Sequence, residues 1–293
     1  MNIFSGLEKI VEKDFPLSKC TWYGLGGTAD YFIKPQTIDE LKNAIQRCNE
    51  NNLQIRVIGR GSNLLVNDNG ARGAVFKLEG PEFAKTSFKG EILTAGAGAD
   101  IGELARSCVE KGLSGFEAVT GIPGSVGGAV KMNAGGNWGD LGTIVESVTL
   151  MDNKGNIFEK SKPELVFDYR STNITARFIL DATMHLTPGD PQQILKAVQE
   201  IWIYKKNTQP LNPRNAGCVF KNPRGVSAGS LIDRAGLKGH KVGGASVSEK
   251  HANFIVAEKG CKGSDVLKLI NTIQNKVKEE FDINLELELE VWE

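Results

Sequence analysis

Apolar residues recur along this chain at two periods, and the alternation between them outlines its elements. Thr37, with Glu40 three positions on, forms a capping box, and Leu41, Ala44, Ile45 and Cys48 then fall on one helical face. Asp100 and Glu103 repeat the signal ahead of Ile101, Leu104, Ala105, Cys108 and Val109, and Gly112 supplies the stop. Cys48 and Cys108 are therefore predicted core residues. Further on, Ile194, Val198, Ile201 and Trp202 are expected to face inward on a helix whose last turn carries Lys205 and Lys206, where cations are favoured. Residues 209–213 break that helix. A short helix is expected around residues 231–235, and Val266, Ile270, Ile273 and Val277 mark a long one.

The strand period appears between these helices. Residues 31–33, 55–58, 64–66, 74–76 and 92–95 read as short strands, and residues 145–152 and 156–160 as a hairpin around Asn153-Lys154-Gly155. Phe178, Leu180, Ala182, Met184 and Leu186 share one strand face, with Asp181 and His185 opposite, so His185 is expected to be half exposed rather than a ligand. A strand-like segment follows over residues 251–256. The final run, residues 285–292, alternates strictly, placing leucines on one face and Glu286, Glu288 and Glu290 on the other. Those glutamates read as a solvated face, except where one of them meets a cleft. Pro188-Gly189-Asp190-Pro191 is the best boundary, dividing the chain into residues 1–189, with a core from about 24, and 190–293.

Composition narrows the class. A chain of 293 residues is comfortable for two domains, and 35 basic against 35 acidic residues offer no broad attraction for nucleic acid or an anionic membrane. The five cysteines are odd in number and widely spaced, with no CxxC pair, which points away from a disulfide scaffold or a metal site and toward a reducing cytoplasm. The first fifteen residues carry Glu8, Lys9, Glu12 and Lys13 and no apolar core of a signal peptide, and no run approaches the ~20 apolar residues of a spanning helix. Glycine stands out: 13 of the 34 lie between Gly96 and Gly142, a concentration that implies backbone turning tightly or approaching something closely.

Three stretches carry candidate chemistry. Gly59-Arg60-Gly61-Ser62-Asn63-Leu64 follows a strand and combines two glycines with a hydroxyl and an amide, which suits an anion cradle or a capped turn. It lacks the lysine of a Walker loop and leads into a strand, so it is not a dinucleotide fingerprint. Gly121-Ile122-Pro123-Gly124-Ser125-Val126-Gly127-Gly128, followed by Asn133-Ala134-Gly135, leaves few side chains and many amides, as a wall for a large flat ligand and its phosphates requires. Asn215-Ala216-Gly217-Cys218-Val219-Phe220-Lys221-Asn222-Pro223 puts a thiol on a stretch suited neither to a regular helix nor to a core strand. From these residues alone Cys218 is either a packed thiol or a reactive one.

Taken in order, these pieces resemble the UDP-N-acetylenolpyruvoylglucosamine reductases, over nearly the whole chain from Gly26-Gly27-Thr28-Ala29-Asp30-Tyr31 to the terminal glutamate run. The resemblance implies an α+β fold: an FAD-binding module of the vanillyl-alcohol-oxidase (PCMH) type plus a smaller C-terminal substrate-binding domain. It implies non-covalent FAD, NADPH as co-substrate, and hydride transfer to UDP-N-acetylglucosamine enolpyruvate to give UDP-N-acetylmuramate for peptidoglycan. Residues matching the family's flavin contacts are Gly59, Arg60, Gly61, Ser62, Asn63 and Leu64, then Gly121, Ile122, Gly124, Ser125, Gly127, Gly128 and Ala134.

Arg170 matches the family's arginine beside the substrate carboxylate, a role that suits a guanidinium because it keeps its charge. Glu288 matches the C-terminal glutamate, Cys218 the general acid, and Asn222 a substrate contact. Tyr169 and Lys221 are placed with the substrate, and Lys206 and Arg214 are expected at its diphosphate, while Lys205 is expected to be solvated. Many members carry serine where this chain has Cys218; a thiol with a reference pKa of ~8.5 is a far stronger acid than an alcohol, so proton donation stays compatible. The short span between Arg170 and Cys218 lacks the tyrosine-bearing lid of the longer subclass. A monomer is expected, without metal, nucleic acid or membrane. Another FAD-linked oxidase on the same fold, or a flavin-binding module without turnover, remains the alternative.

Overall fold

A computed structural model describes residues 3–211 and 214–293; the end of the predicted break after residue 208 lies at 212–213, outside the described residues. The chain divides into two compact units. The first comprises the stretch up to Asp14, Asp30–Arg60 and Arg72–Ile203; the second comprises Phe15–Ala29, Gly61–Ala71 and Tyr204–Glu293.

The first unit holds a five-stranded sheet and most of the residues of a four-stranded one. Five antiparallel strands run in the order Ile157–Ser161, Val145–Met151, Phe178–His185, Ile92–Gly96, Thr86–Lys89, and the alternation read from residues 178–186 is the one observed, with Phe178, Leu180, Ala182 and Met184 buried. His185 is exposed and meets Glu91 at 3.1 Å. A four-stranded sheet runs Val11–Pro16, Thr28–Ile33, Ala71–Phe76, Ile55–Val57, its last pair parallel. The edge strand Val11–Pro16 is too polar to show in a hydrophobic pattern.

Helix α1 (Ile38–Glu50) starts as predicted: the Thr37 hydroxyl accepts from the Glu40 amide. Helix α2 (Ile101–Glu110) starts at Asp100, which accepts from the Glu103 amide at 2.9 Å. Gly112 closes it at φ +65°, the left-handed turn that glycine adopts without a Cβ penalty. Cys48 and Cys108 are buried on these helices, and burial pushes both thiols up to about 12. A third helix, α3 (Val126–Lys131), was not visible in the glycine-rich run, because its first turn contains Gly127 and Gly128.

Helix α4 (Pro191–Thr208) departs from expectation at two positions. Trp202 is 45% exposed, and Lys205 is only 6% exposed rather than solvated. The buried stripe steps from Ile194 through half-buried Val198 to Ile201 and then to Lys205, in strides of four, three and four, so Trp202 falls beside it.

The second unit builds its own core from α5 (Ala228–Arg234), α6 (Gly263–Phe281) and the three-stranded sheet Lys241–Val242, Ala245–Val247, Ile255–Ala257. Val266, Ile270, Ile273 and Val277 are all buried on α6. Tyr23 and Leu65, from the two early segments, are part of this core, and Leu64–Val66 pairs in parallel with Glu290–Trp292. The predicted strand over residues 251–256 begins only at Ile255. Ahead of it the chain turns, with the Ser248 hydroxyl accepting from the amides of Lys250 and His251. The terminal run is also shorter than its alternation suggested, with an isolated bridge at Leu287 and a strand only over Glu290–Trp292.

Candidate active site

Within the first unit the two glycine-rich loops meet. A Cβ on Gly59 would stand 2.7 Å from the Ser125 hydroxyl oxygen, so only glycine allows this approach. Arg60 forms an ion pair with Asp100, and Asp100 and Ser125 bridge as antiparallel neighbours. The amides of Val126 and Gly127 donate to the carbonyls of Ala99 and Ala97 at 2.9 and 2.8 Å. Those two amides therefore hold the loop rather than face a ligand. Ser125 is buried at the start of α3, accepting from the Gly128 amide. Ala134 is bonded into the same wall through its amide, to Ala129, and its carbonyl, from Leu141.

Tyr169 and Arg170 form the two-residue loop of a hairpin between Phe167–Asp168 and Ser171–Thr172. Arg170 sits at φ +56°, a conformation costing a non-glycine residue on the order of 1 kcal/mol. Its guanidinium lies 5.2 Å from the Tyr169 ring centroid and donates to the Gly135 carbonyl at 3.0 Å, which ties it to the second loop. Asn133, buried and itself at φ +44°, donates to the Asp168 carbonyl and accepts from Gly142, pinning the hairpin base.

Within the second unit, Cys218 lies on a short extended segment held on both sides. On one side the Val219 amide donates to the Asn253 carbonyl, and Cys218 and Phe254 form an antiparallel bridge. On the other, the amides of Glu288 and Leu289 both donate to the Val219 carbonyl, at 2.9 and 3.2 Å, and Lys221 donates to the Glu286 carbonyl. Two successive amides on one carbonyl make a β-bulge, the device by which a strand re-aims a side chain. It falls on Glu288. Of the three alternating glutamates, Glu286 and Glu290 are exposed and Glu288 alone is half-buried. Asn63 donates from its side-chain amide to the Glu288 carbonyl at 2.9 Å, so this loop residue braces the glutamate's backbone.

Cys218, like Cys20, is half-buried, whereas Cys48, Cys108 and Cys261 are buried. Ahead of it the Asn215 side chain accepts from the Gly217 amide, and Gly217 takes φ +77° with open space where a Cβ would be. Asn222 is exposed, its side-chain oxygen accepting from the Ala228 amide in the first turn of α5, and Lys221 lies 3.6 Å from Glu286. Lys206 and Arg214 are exposed. Sequence reasoning missed Asn253: its bonds to residues 219 and 220 cross more than thirty positions, and its one local signal was an amide inside an apolar run.

Comparison with known proteins gives these residues a context. The family model for the C-terminal domain of UDP-N-acetylenolpyruvoylglucosamine reductase matches residues 209–292, and the FAD binding domain model matches residues 29–161. The UDP-N-acetylenolpyruvoylglucosamine reductase of Lachnoclostridium phytofermentans is 41% identical, covering 94% of this chain and 90% of its own. That of Bacillus subtilis is 39% identical over 94% of this chain and 92% of its own. The chain belongs to the UDP-N-acetylenolpyruvoylglucosamine reductase family.

The crystal structure of the reductase from Thermus caldophilus superposes with a TM-score of 0.84 at 38% identity, covering 97% of this chain and 98% of that one. A pollen glucose dehydrogenase, Phl p 4.0202, shares the fold alone, with a TM-score of 0.51 at 16% identity over 65% of this chain and 45% of that one. The fold class expected from the sequence, α+β on an FAD-binding module, is the one observed. FAD is the cofactor of this reductase family member. The meeting of the Gly59 and Gly121–Ser125 stretches fits it: they form a surface of backbone and small side chains, closed to any added Cβ at Gly59 and at Gly127, where Ala97 stands 2.9 Å away.

Proposed function

We propose that this protein reduces UDP-N-acetylglucosamine enolpyruvate to UDP-N-acetylmuramate with NADPH, a step of peptidoglycan precursor synthesis, and that Cys218 donates the proton. The observation that carries the assignment is local to the second unit. Of the two half-buried thiols, Cys20 and Cys218, it is Cys218 that lies on a segment whose backbone is bonded to that of Glu288, the one glutamate of the terminal alternation withdrawn from solvent. FAD, when bound, supplies the hydride that reaches the enolpyruvyl methylene carbon.

Negative charge then develops on the carbon beside the substrate carboxylate. The Arg170 guanidinium, fixed by Tyr169 and the Gly135 carbonyl, is preorganised to stabilise it without reorienting. Cys218 gives its thiol proton to that carbon, completing the C–H bond, and the thiolate is reprotonated from solvent before the next turnover. Glu288 orients the developing charge. Gly59, Arg60, Gly61, Ser62, Asn63, Leu64, Gly121, Ile122, Gly124, Ser125, Gly127, Gly128 and Ala134 are assigned to FAD. Tyr169, Lys206, Arg214, Lys221 and Asn222 are assigned to substrate. We assign residues 1–189 as the FAD-binding region, which also supplies Tyr169 and Arg170 to the substrate, and 190–293 as the C-terminal substrate-binding domain. The protein is taken to act as a monomer in the cytoplasm; among the described residues no helix is long and apolar enough to cross a membrane.

Stopped-flow absorbance of the purified holoenzyme tests the reading. NADPH bleaches the bound flavin, and UDP-N-acetylglucosamine enolpyruvate restores its oxidised spectrum without oxygen. In Cys218→Ala the first phase persists and the second slows by about 10²-fold or more, the range of a lost general acid. Loss of both phases together gives Cys218 a structural role, and turnover with oxygen alone makes the protein an oxidase.

A further inference from the structure

Asn253 is 2% exposed, and its side chain is committed entirely to one residue two positions beyond Cys218. Its carboxamide oxygen accepts from the Phe220 amide at 3.0 Å, and its carboxamide nitrogen donates to the Phe220 carbonyl at 2.8 Å. Its own carbonyl accepts from the Val219 amide at 2.9 Å. An antiparallel strand would meet Phe220 with a backbone N–H and C=O in this same pairing. Here the chain is turning, and a side-chain amide takes the strand's place.

The turn that presents it is itself fixed. The Asn253 amide donates to His251 Nδ1 at 3.2 Å, and the His251 ring packs edge-on against Phe254 at 4.8 Å between centroids. The segment that carries Cys218 thus has one neighbour that pairs through backbone alone, the Glu286–Leu289 side, and one built largely from a single side-chain amide. Without that amide, Phe220 keeps its packing but loses the bonds that set its height and rotation, and the bulge pairing with Glu288 loses its counterpart.

We propose that Asn253 is a positioning residue for proton donation: its buried carboxamide, acting as a one-residue strand against Phe220, holds Cys218 in register with Glu288. This rests on the reading of Cys218 as donor. A bland role in packing predicts a less stable protein with proportionate loss of all functions. A positioning role predicts loss of one half-reaction, since a displacement of about 1 Å at a reacting group can cost about 10²-fold.

Asn253→Ala and Asn253→Ser holoenzymes are compared with wild type and Cys218→Ala by stopped flow at saturating substrate, and by the rate of Cys218 alkylation read by mass spectrometry. Bleaching by NADPH is expected to be unchanged. Reoxidation by substrate slows by about 10²-fold in Asn253→Ala and by less in Asn253→Ser, whose hydroxyl restores one bond, and the alkylation rate of Cys218 changes in both. If Asn253→Ala yields no folded flavoprotein, Asn253→Ser is read alone on the same criteria. Wild-type reoxidation and alkylation in a folded Asn253 variant overturn the proposal, as does an equal slowing of both half-reactions. A Cys218→Ala enzyme that reoxidises normally overturns instead the donor assignment beneath it.

Discussion

Single residues in this protein are specified by what stands next to them in space. Gly59 is the sharpest case outside the Cys218 segment: its neighbour across the contact is the Ser125 hydroxyl, which is also engaged at the start of α3. Gly59→Ala is expected to displace that hydroxyl and open the seam between the loops assigned to FAD. The measurable outcome is faster flavin loss on dilution, with a thermal midpoint of the apoprotein within a few degrees of wild type; undiminished flavin retention counts against the seam as an FAD contact. Gly61 is stricter, since it combines φ +64° with close approach of the Cys20 carbonyl.

Residue identities such as these were legible in the sequence as motifs. Cys218 and the two glycine stretches stood out that way, because each departs from what a helix or strand needs, whereas Glu288 sits in a regular alternation and was singled out only by resemblance to the family. Lys205 and Trp202 were misplaced for the opposite reason. A stripe on a helix follows position and not residue type, and a lysine stem can continue an apolar row. Asn253 was beyond reach, since a side chain standing in for a strand leaves no period.

At the scale of elements, the turn ahead of Ile255–Ala257 couples folding to pH. Burial pushes the His251 imidazole below its usual value, and Lys238 nearby acts in the same direction. The folded state therefore binds fewer protons than the unfolded one, whose histidine titrates near ~6.5. The stability this residue contributes is complete above ~6.5 and is lost as pH falls below it toward the folded value. Thermal midpoints of wild type should fall between pH 7.5 and pH 5.5 by more than those of His251→Asn, which keeps an acceptor for the Asn253 amide but does not titrate. Equal slopes would remove His251 from the account. The start of α6 is a second such device: the Asp68 carboxylate accepts from the amides of Gly263 and Ser264 at 2.6 and 3.1 Å, and Asp265 accepts from those of Lys262 and Gly244. Asp68→Ala is expected to cost about 1 kcal/mol, the usual value of a lost cap, read as a lower urea midpoint.

At the scale of the whole molecule, what matters is that the second unit is discontinuous in sequence. Its core draws on Tyr23 and Leu65, its last strand pairs with Leu64–Val66, and its longest helix is capped by Asp68. A fragment containing residues 190–293 alone is therefore expected to give the poorly dispersed amide spectrum of an unfolded chain, and a well-dispersed one would show that the early segments are dispensable. No local pattern announced these segments, because periodicity reports which face of an element is apolar and not which distant element will cover it.

The pairing of Leu64–Val66 with Glu290–Trp292 also sets a schedule for the cell. Asn63 and Glu288, which bond across the junction, are 225 positions apart in the chain. At ribosomal rates of about 5–20 residues per second, an interval on the order of tens of seconds separates the synthesis of the two sides. Throughout that time a wholly apolar strand, Leu64-Leu65-Val66, waits with an open edge, the kind of surface that invites pairing with the wrong chain. In a newly made copy that edge therefore stays open to mispairing until Glu290–Trp292 has been synthesised.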